Sequence, residues 1–317
     1  MLPSSSPPRG GSATVPGGFT YLLPILPALY VANLTSGTVS VVNRVSNTVT
    51  ATVTVEKNPT GVAASPLGNR TYVANQGANT VSVINNATNT VTATIPVAKN
   101  PTGVVVSPDG ARLYVTNLTA GTVSVISTAT NTVTATIPVT PQPSGVAVSP
   151  DGTRLYVTNL TAGTVSLINT ATNTVTGTIT VGALPFSVAV TPDGAHAYVA
   201  NQGTNTVSVI DTAANTVTAT VAVDALPFTV AVSPDGTRAY VANQGANTIS
   251  VIDTATNTVT ATVVVNTNPR GVAVSPDGAF VYVSNLSPST LSVISTATNT
   301  VTGTITIGIN PRGVAAL

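Results

Sequence analysis

The sequence predicts an all-β fold, a seven-bladed β-propeller of four-stranded antiparallel blades. Three observations carry that prediction. Tyr30, Tyr72, Tyr114, Tyr156, Tyr198, Tyr240 and Tyr282 recur every 42 residues without a slip, each opening the phrase YVAN, YVTN or YVSN. A period of about 40 residues is the mark of a propeller or a solenoid. Each period divides into four short β-type runs separated by turn chemistry. Finally, Gly313-Val314-Ala315-Ala316-Leu317 repeats Gly61-Val62-Ala63-Ala64-Ser65 at four of five positions, after the seventh period is complete. A closed ring needs such a returning strand, whereas a solenoid needs capping repeats.

Residues 100–141 show the elements in order. Gly103 to Ser107 is a short apolar run, expected to be a strand buried on both faces. Pro108-Asp109-Gly110 is a turn: Pro presets φ, Asp bonds back to the backbone and Gly supplies a positive φ. Arg112 to Asn117 is the second strand, Leu118 to Gly121 a loop, and Thr122 to Ser127 the third strand. Thr132 to Val139 alternates strictly, with Val133, Ala135 and Ile137 on one side and threonines on the other, so it is the fourth strand. Pro138 near its end suits an outer edge, where no neighbour needs its missing N–H.

Blade 1 opens at its second strand, around Tyr30, so its inner strand must come from elsewhere. The C-terminal run is the closer match. Phe19 to Leu23 stands in the same register ahead of Tyr30 and is the rival. The chain thus divides into a Pro/Gly/Ser-rich tail (1–18), an apolar segment (19–27) and the propeller (28–317). If the C-terminal strand closes the ring, the segment carrying Phe19, Tyr21, Leu22, Leu23, Ile25 and Leu26 is spare. It either covers a blade edge of its own subunit or adds a strand to a neighbour, which makes these residues the candidates for self-association.

Composition narrows the function classes. Only 6% of residues are charged and the net charge is +1, so no basic footprint for nucleic acid exists. No apolar run is long enough for a membrane-spanning helix. There is no cysteine, which removes disulfides and thiolate metal sites. A charge-poor, Thr/Asn-rich surface leans towards an extracellular or cell-surface setting, although the N-terminus makes a poor signal peptide.

The phrases YVAN (30–33, 72–75, 198–201, 240–243), YVTN (114–117, 156–159) and YVSN (282–285), with SPDG at 107–110, 149–152, 233–236 and 275–278 and NTVTATI at 89–95 and 131–137, resemble the YVTN-type β-propeller repeat family. The resemblance covers residues 28–317. It implies an exported, surface-layer-like seven-bladed propeller and little chemistry. Related propellers that act as lactonases, or that bind haem or quinone, use acidic, histidine or tryptophan residues around the channel, and this chain has nearly none.

The inventory for catalysis is short: one His, one Glu, no Cys and no Trp. His196 stands where Arg70, Arg112, Arg154 and Arg238 stand in other blades, which reads as a repeat-position substitute. Asp109, Asp151, Asp193, Asp235 and Asp277 sit in separate turns and are explained by turn formation. No metal and no cofactor is expected, and no catalytic residue is assigned. The informative variation lies between blades: KNPTG (57–61), KNPTG (99–103), PQPSG (141–145), ALPFS (183–187), ALPFT (225–229), NPRG (268–271) and NPRG (310–313). Because blade 7 adjoins blade 1, Lys57, Lys99, Arg270 and Arg312 form one basic arc, with Phe186 and Phe228 on the other side. Duplication of repeats in pairs would also produce this pattern. As a binding face, it fits a protein or glycan partner. Six Asn-x-Ser/Thr sequons, at Asn33, Asn69, Asn86, Asn117, Asn159 and Asn285, are possible glycosylation sites. The expectation is a non-catalytic exported structural or binding scaffold that self-associates into a homo-oligomer or polymer. A propeller enzyme of the lactonase kind is the alternative, as is a monomeric adhesion module.

Overall fold

The computed structural model describes residues 27–317 in full and the backbone of two short strands, Ser12–Thr14 and Thr20–Leu22. Residues 28–317 form seven four-stranded antiparallel sheets, and no helix occurs among the described residues. Blade 3 is typical. Its inner strand is Pro101–Val106, followed outward by Arg112–Asn117, Thr122–Ser127 and Thr132–Pro138. The inner strand starts two residues before the sequence prediction, because Pro101 already pairs with Asn117 ahead of a bulge that ends at Val104. It is only half-buried, since one side faces the central channel; the expectation of burial on both faces is corrected.

Blade 1 is completed from the C-terminus. Pro311–Ala316 pairs with Ala28–Asn33, and the sheet continues through Thr38–Asn43 to Thr48–Thr54. Arg44 strengthens the seam by donating from its guanidinium to the Leu317 carbonyl oxygen at 2.6 Å. Thr20–Leu22 instead pairs with Ser12–Thr14 in a separate two-stranded sheet. Phe19, Leu23, Ile25 and Leu26 lie outside the described residues, as do the side chains of Tyr21 and Leu22.

The repeat tyrosines are wedges between blades. Tyr156 packs with Val165 and Ile179 of blade 4 and with Val188, Val199 and Ile210 of blade 5. All seven are at most 1% exposed. Their hydroxyls reach the face of the turns, where Arg70, Arg112, Arg154 and Arg238 bridge to the carbonyls of Thr128, Thr170, Thr212 and Thr296 at 2.6–2.9 Å. Where His196 replaces the arginine, the Tyr198 hydroxyl donates to Asn257 Oδ1 at 2.8 Å instead. His196 thus occupies a structural position of the repeat.

A second buried layer closes each blade near the opposite face. The asparagine ending each YV-N phrase is fully buried. Asn159 Nδ2 donates to Thr164 Oγ1 at 3.1 Å and to Ser166 Oγ at 2.9 Å, and Asn75 and Asn201 make the same pair of bonds. This corrects four of the sequons. Asn33, Asn117, Asn159 and Asn285 are interior, so a glycan cannot be carried there by the folded protein. Asn86 Nδ2 is tied to the Gly68 carbonyl oxygen, and Asn69 is exposed.

Candidate functional site

Strand direction sorts the molecule into two faces. Each inner strand runs from the loops between blades to the PDG-type turns, so the inter-blade loops and the second-to-third strand loops share one face, here the loop face. The turn aspartates lie on the other. Asp109 Oδ1 accepts from Ser107 Oγ at 2.5 Å and from the Ala111 N–H at 2.9 Å. The Ser107 bond, followed by the Ala111 bond, holds its carboxyl below the usual range. These aspartates build turns, as the sequence indicated, and no group of three His, Cys, Asp or Glu that could hold a metal exists among the described residues.

The loop-face mouth of the channel is different. It holds a cavity of about 380 Å³ lined from all seven blades. The residue after the proline of every inner strand lines it: Thr60, Thr102, Ser144, Phe186, Phe228, Arg270 and Arg312, on blades 2 to 7 and then 1. Three consecutive blades thus contribute small hydroxyl side chains and four contribute large ones. The room left by the small residues is the cavity. Leu34, Leu118 and Leu160, the first residues after the second strands, add an apolar wall, with Gln76 among them.

The large side chains form a continuous stack. The Phe186 and Phe228 rings lie 3.8 Å apart between centroids, tilted by 31°. Arg270 places its guanidinium carbon 4.5 Å from the centre of the Phe228 ring, a cation–π contact. Arg312 is the next in the ring. Burial, and secondarily the positive charge of Arg312, pull the Arg270 guanidinium down to about 10. Burial also lowers Arg312. Neither guanidinium has a hydrogen-bond or ion-pair partner among the described residues, and the Nε of each is buried without one. Two half-buried like charges without an acceptor cost stability on their own.

This geometry revises the sequence-derived arc. Lys57 and Lys99 are exposed on the rim, whereas Arg270 and Arg312 line the channel, because Lys57 and Lys99 belong to the loop and the arginines to the strand that follows. The phenylalanines do not face the basic side from across the ring; Phe228 and Arg270 touch. The sequence reading missed the hydroxyl side of the same ring, although the 42-residue spacing from Thr60 to Arg312 could have revealed it.

Blades 5 and 6 also depart from the others in backbone. In blades 1, 2, 3, 4 and 7 the residue after the channel-facing position is Gly61, Gly103, Gly145, Gly271 or Gly313, and a side chain there would strike the next inner strand. Blades 5 and 6 carry Ser187 and Thr229 instead, which pair with Ala200 and Ala242. Two residues before each phenylalanine, Leu184 and Leu226 hold left-handed φ values of 51° and 55°, where other blades use Asn or Gln. Both leucines are over 40% exposed. An exposed apolar residue in a region that disfavours it is a poor choice for stability alone.

Comparison with known proteins places these features. The sequence model of the virginiamycin B lyase family matches residues 26–291. Among solved structures, Kuenenia stuttgartiensis hydrazine synthase is 26% identical, with a TM-score of 0.79 over 86% of this chain and 93% of that one. A protein of unknown function from Desulfotomaculum acetoxidans gives 0.81 at 19% identity, covering 92% and 98%. A Bacteroides uniformis protein provisionally named a 6-phosphogluconolactonase gives 0.79 at 16% identity, covering 92% and 99%. The last two likenesses show the fold alone. Comparison with the curated proteins returns no match. The family match overturns the expectation of a non-catalytic scaffold without enzyme activity, since the family is one of lyases. It agrees with a propeller repeat family, but not specifically with the YVTN-type or surface-layer-like one. The expectation had looked for imidazoles and carboxylates as catalytic groups and assigned Arg270 and Arg312 to partner binding, and only the closed ring brings these arginines together with the hydroxyl residues.

Proposed function

The chain belongs to the virginiamycin B lyase family, and on that premise we propose that it is a lyase acting at the loop-face mouth of its channel, opening an ester bond within a partly apolar small molecule. The observation that carries this reading is the pair of unpartnered guanidiniums of Arg270 and Arg312 beside an aromatic and aliphatic wall. When an ester is opened by elimination, a proton leaves carbon, a C=C bond forms, the C–O bond breaks and a carboxylate departs. Negative charge then grows on oxygen, and preorganised cations in a site of low dielectric stabilise it. Thr60, Thr102 and Ser144 offer hydroxyls for orienting the substrate and relaying the proton through water. Leu34, Leu118, Leu160 and Phe186 hold its apolar body.

The test is incubation of the purified protein with cyclic esters and with virginiamycin B, which names the family, followed by mass spectrometry. Elimination leaves the mass of a ring-opened product equal to that of its substrate. Hydrolysis adds one water and would correct the fate of the bond to that of a lactonase. Arg270→Ala should abolish turnover while leaving the thermal unfolding curve intact. No turnover of any cyclic ester, or full activity in Arg270→Ala, overturns the proposal.

A further inference from the structure

We infer that the channel mouth selects a substrate that already carries an acidic group, so that its two arginines meet two negative charges, one standing and one formed in the reaction. This rests on the lyase reading and deepens it by naming the substrate class: an acid-bearing ester with a flat apolar portion.

The number of cations is the first argument. A single guanidinium suffices for one departing carboxylate, often as a bidentate pair. Here Arg270 and Arg312 stand on adjacent blades, close enough for one to depress the other, with no carboxylate among the residues lining the cavity. Bringing a second cation beside the first costs free energy that a monoanion only partly offsets. A ligand that ends as a dianion satisfies both.

The field of the whole molecule is the second. The loop face carries Lys57, Lys99, Arg270 and Arg312 against Glu56 and Asp224; four cations against two acids give +2. The turn face carries five arginines, Arg44, Arg70, Arg112, Arg154 and Arg238, against seven of the nine acids; five against seven give −2. Arg9 accounts for the remaining charge and lies outside the described residues. The disc is polarised along its channel, and anions are drawn to the end where the unpartnered guanidiniums lie.

The flat portion follows from the stack. Phe228 contacts both Phe186 and Arg270. Phe186 lines the cavity as well, and its other neighbour in the ring is the small Ser144, which leaves room beside it. A planar group laid there reaches the guanidiniums across the channel from the hydroxyl side.

Four probes separate the terms by isothermal calorimetry on the full chain: phenyl phosphate, phthalate, benzoate and succinate. Phenyl phosphate and phthalate, which carry both a ring and two charges, should bind roughly tenfold or more tightly than either benzoate or succinate. Arg312→Ala and Arg270→Ala should each remove that advantage, and Phe186→Ala should bring phthalate down to the level of succinate. Lys57→Ala should change affinity little. Arg312→Gln, which keeps most of the volume, guards against a variant that fails to fold. Equal affinity for phthalate and benzoate, or undiminished affinity in both Arg312 variants, overturns the inference. Turnover of neutral cyclic esters without inhibition by phthalate would sink it while sparing the lyase reading. Dianion binding at the mouth without turnover of any ester would sink the lyase reading and leave the anion site standing.

Discussion

Asn117 and Thr102 are neighbours in space, because Pro101 pairs with Asn117 at the loop-face end of blade 3. Yet their counterparts round the ring behave in opposite ways. Asn117 is asparagine in all seven blades, fully buried, and bonded to hydroxyls of the third strand. Thr102 becomes Thr, Ser, Phe or Arg from blade to blade. The first set answers to a constraint that every blade shares, a polar side chain that must find its partners where no water reaches. The second faces the channel, where no two blades meet the same surroundings once a ligand lies off the axis. In a repeat protein, sameness marks the fold, and the broken repeat marks the site.

The largest way to break that comparison is to open the ring. Deleting residues 311–317 removes the inner strand of blade 1, exposes Leu29 and Val31, and deletes Arg312 with it. Stability should fall by about 5 kcal/mol or more, comparable to that of a whole domain, and denaturant unfolding should lose its single transition. Deleting residues 1–18 should leave that transition in place; equal losses would mean that the seam contributes little.

Alkali attacks the shared tyrosine layer. Burial pushes Tyr30 and Tyr198 up to about 12, against 10 when unfolded, and raises Tyr72, Tyr156, Tyr240 and Tyr282 as well. The unfolded chain gives up these protons first, so stability contributed by the layer is full below pH 10 and is lost as the pH rises from about 10 towards 12. Tyrosinate absorbance should therefore appear together with loss of β circular dichroism. Ionisation of all the tyrosines near pH 10 with the fold intact would contradict the burial.

Single substitutions sharpen the contrast. Asn159→Ala leaves Thr164 and Ser166 without their buried donor and should cost about 1–3 kcal/mol in denaturant titration. Arg312→Ala, close to the same end of the ring, should cost nothing measurable, because it removes a buried charge that has no partner. The smallest effect is expected at the rim. Leu184→Asn puts the residue used by most other blades into the left-handed conformation and should stabilise by about 0.5–1 kcal/mol. If Leu184 touches the ligand, the same variant loses affinity, and the two readouts move in opposite directions.

The fold was legible because its signals are local and repeated seven times. Tyr and Asn at fixed offsets, the PDG turns and the returning Gly313–Leu317 each specify an element from a few neighbouring residues. The two readings of the inner strand that needed correction, its start at Pro101 and its burial on both faces, depend on a bulge and on a channel that no single repeat contains. The site was legible only in part. Lys57, Lys99, Phe186, Phe228, Arg270 and Arg312 stood out as departures from the repeat, but their grouping did not. A basic arc drawn along the sequence mixes loop residues with strand residues, and the strand turns the arginines inward while the loop leaves the lysines on the rim.

The sequence by itself determined the number of blades, the strands within them and the absence of thiol chemistry, and it favoured the C-terminal run over Phe19–Leu23 as the closing strand. Periodicity, turn propensity and composition act over distances the chain itself spans. Only the tertiary structure decided that residues 42 apart share one small cavity, that Phe228 contacts both Phe186 and Arg270, and that two guanidiniums stand there without a partner among the described residues. Ring closure sets those distances, and desolvation and mutual repulsion of charges depend on distance and burial rather than on order along the chain.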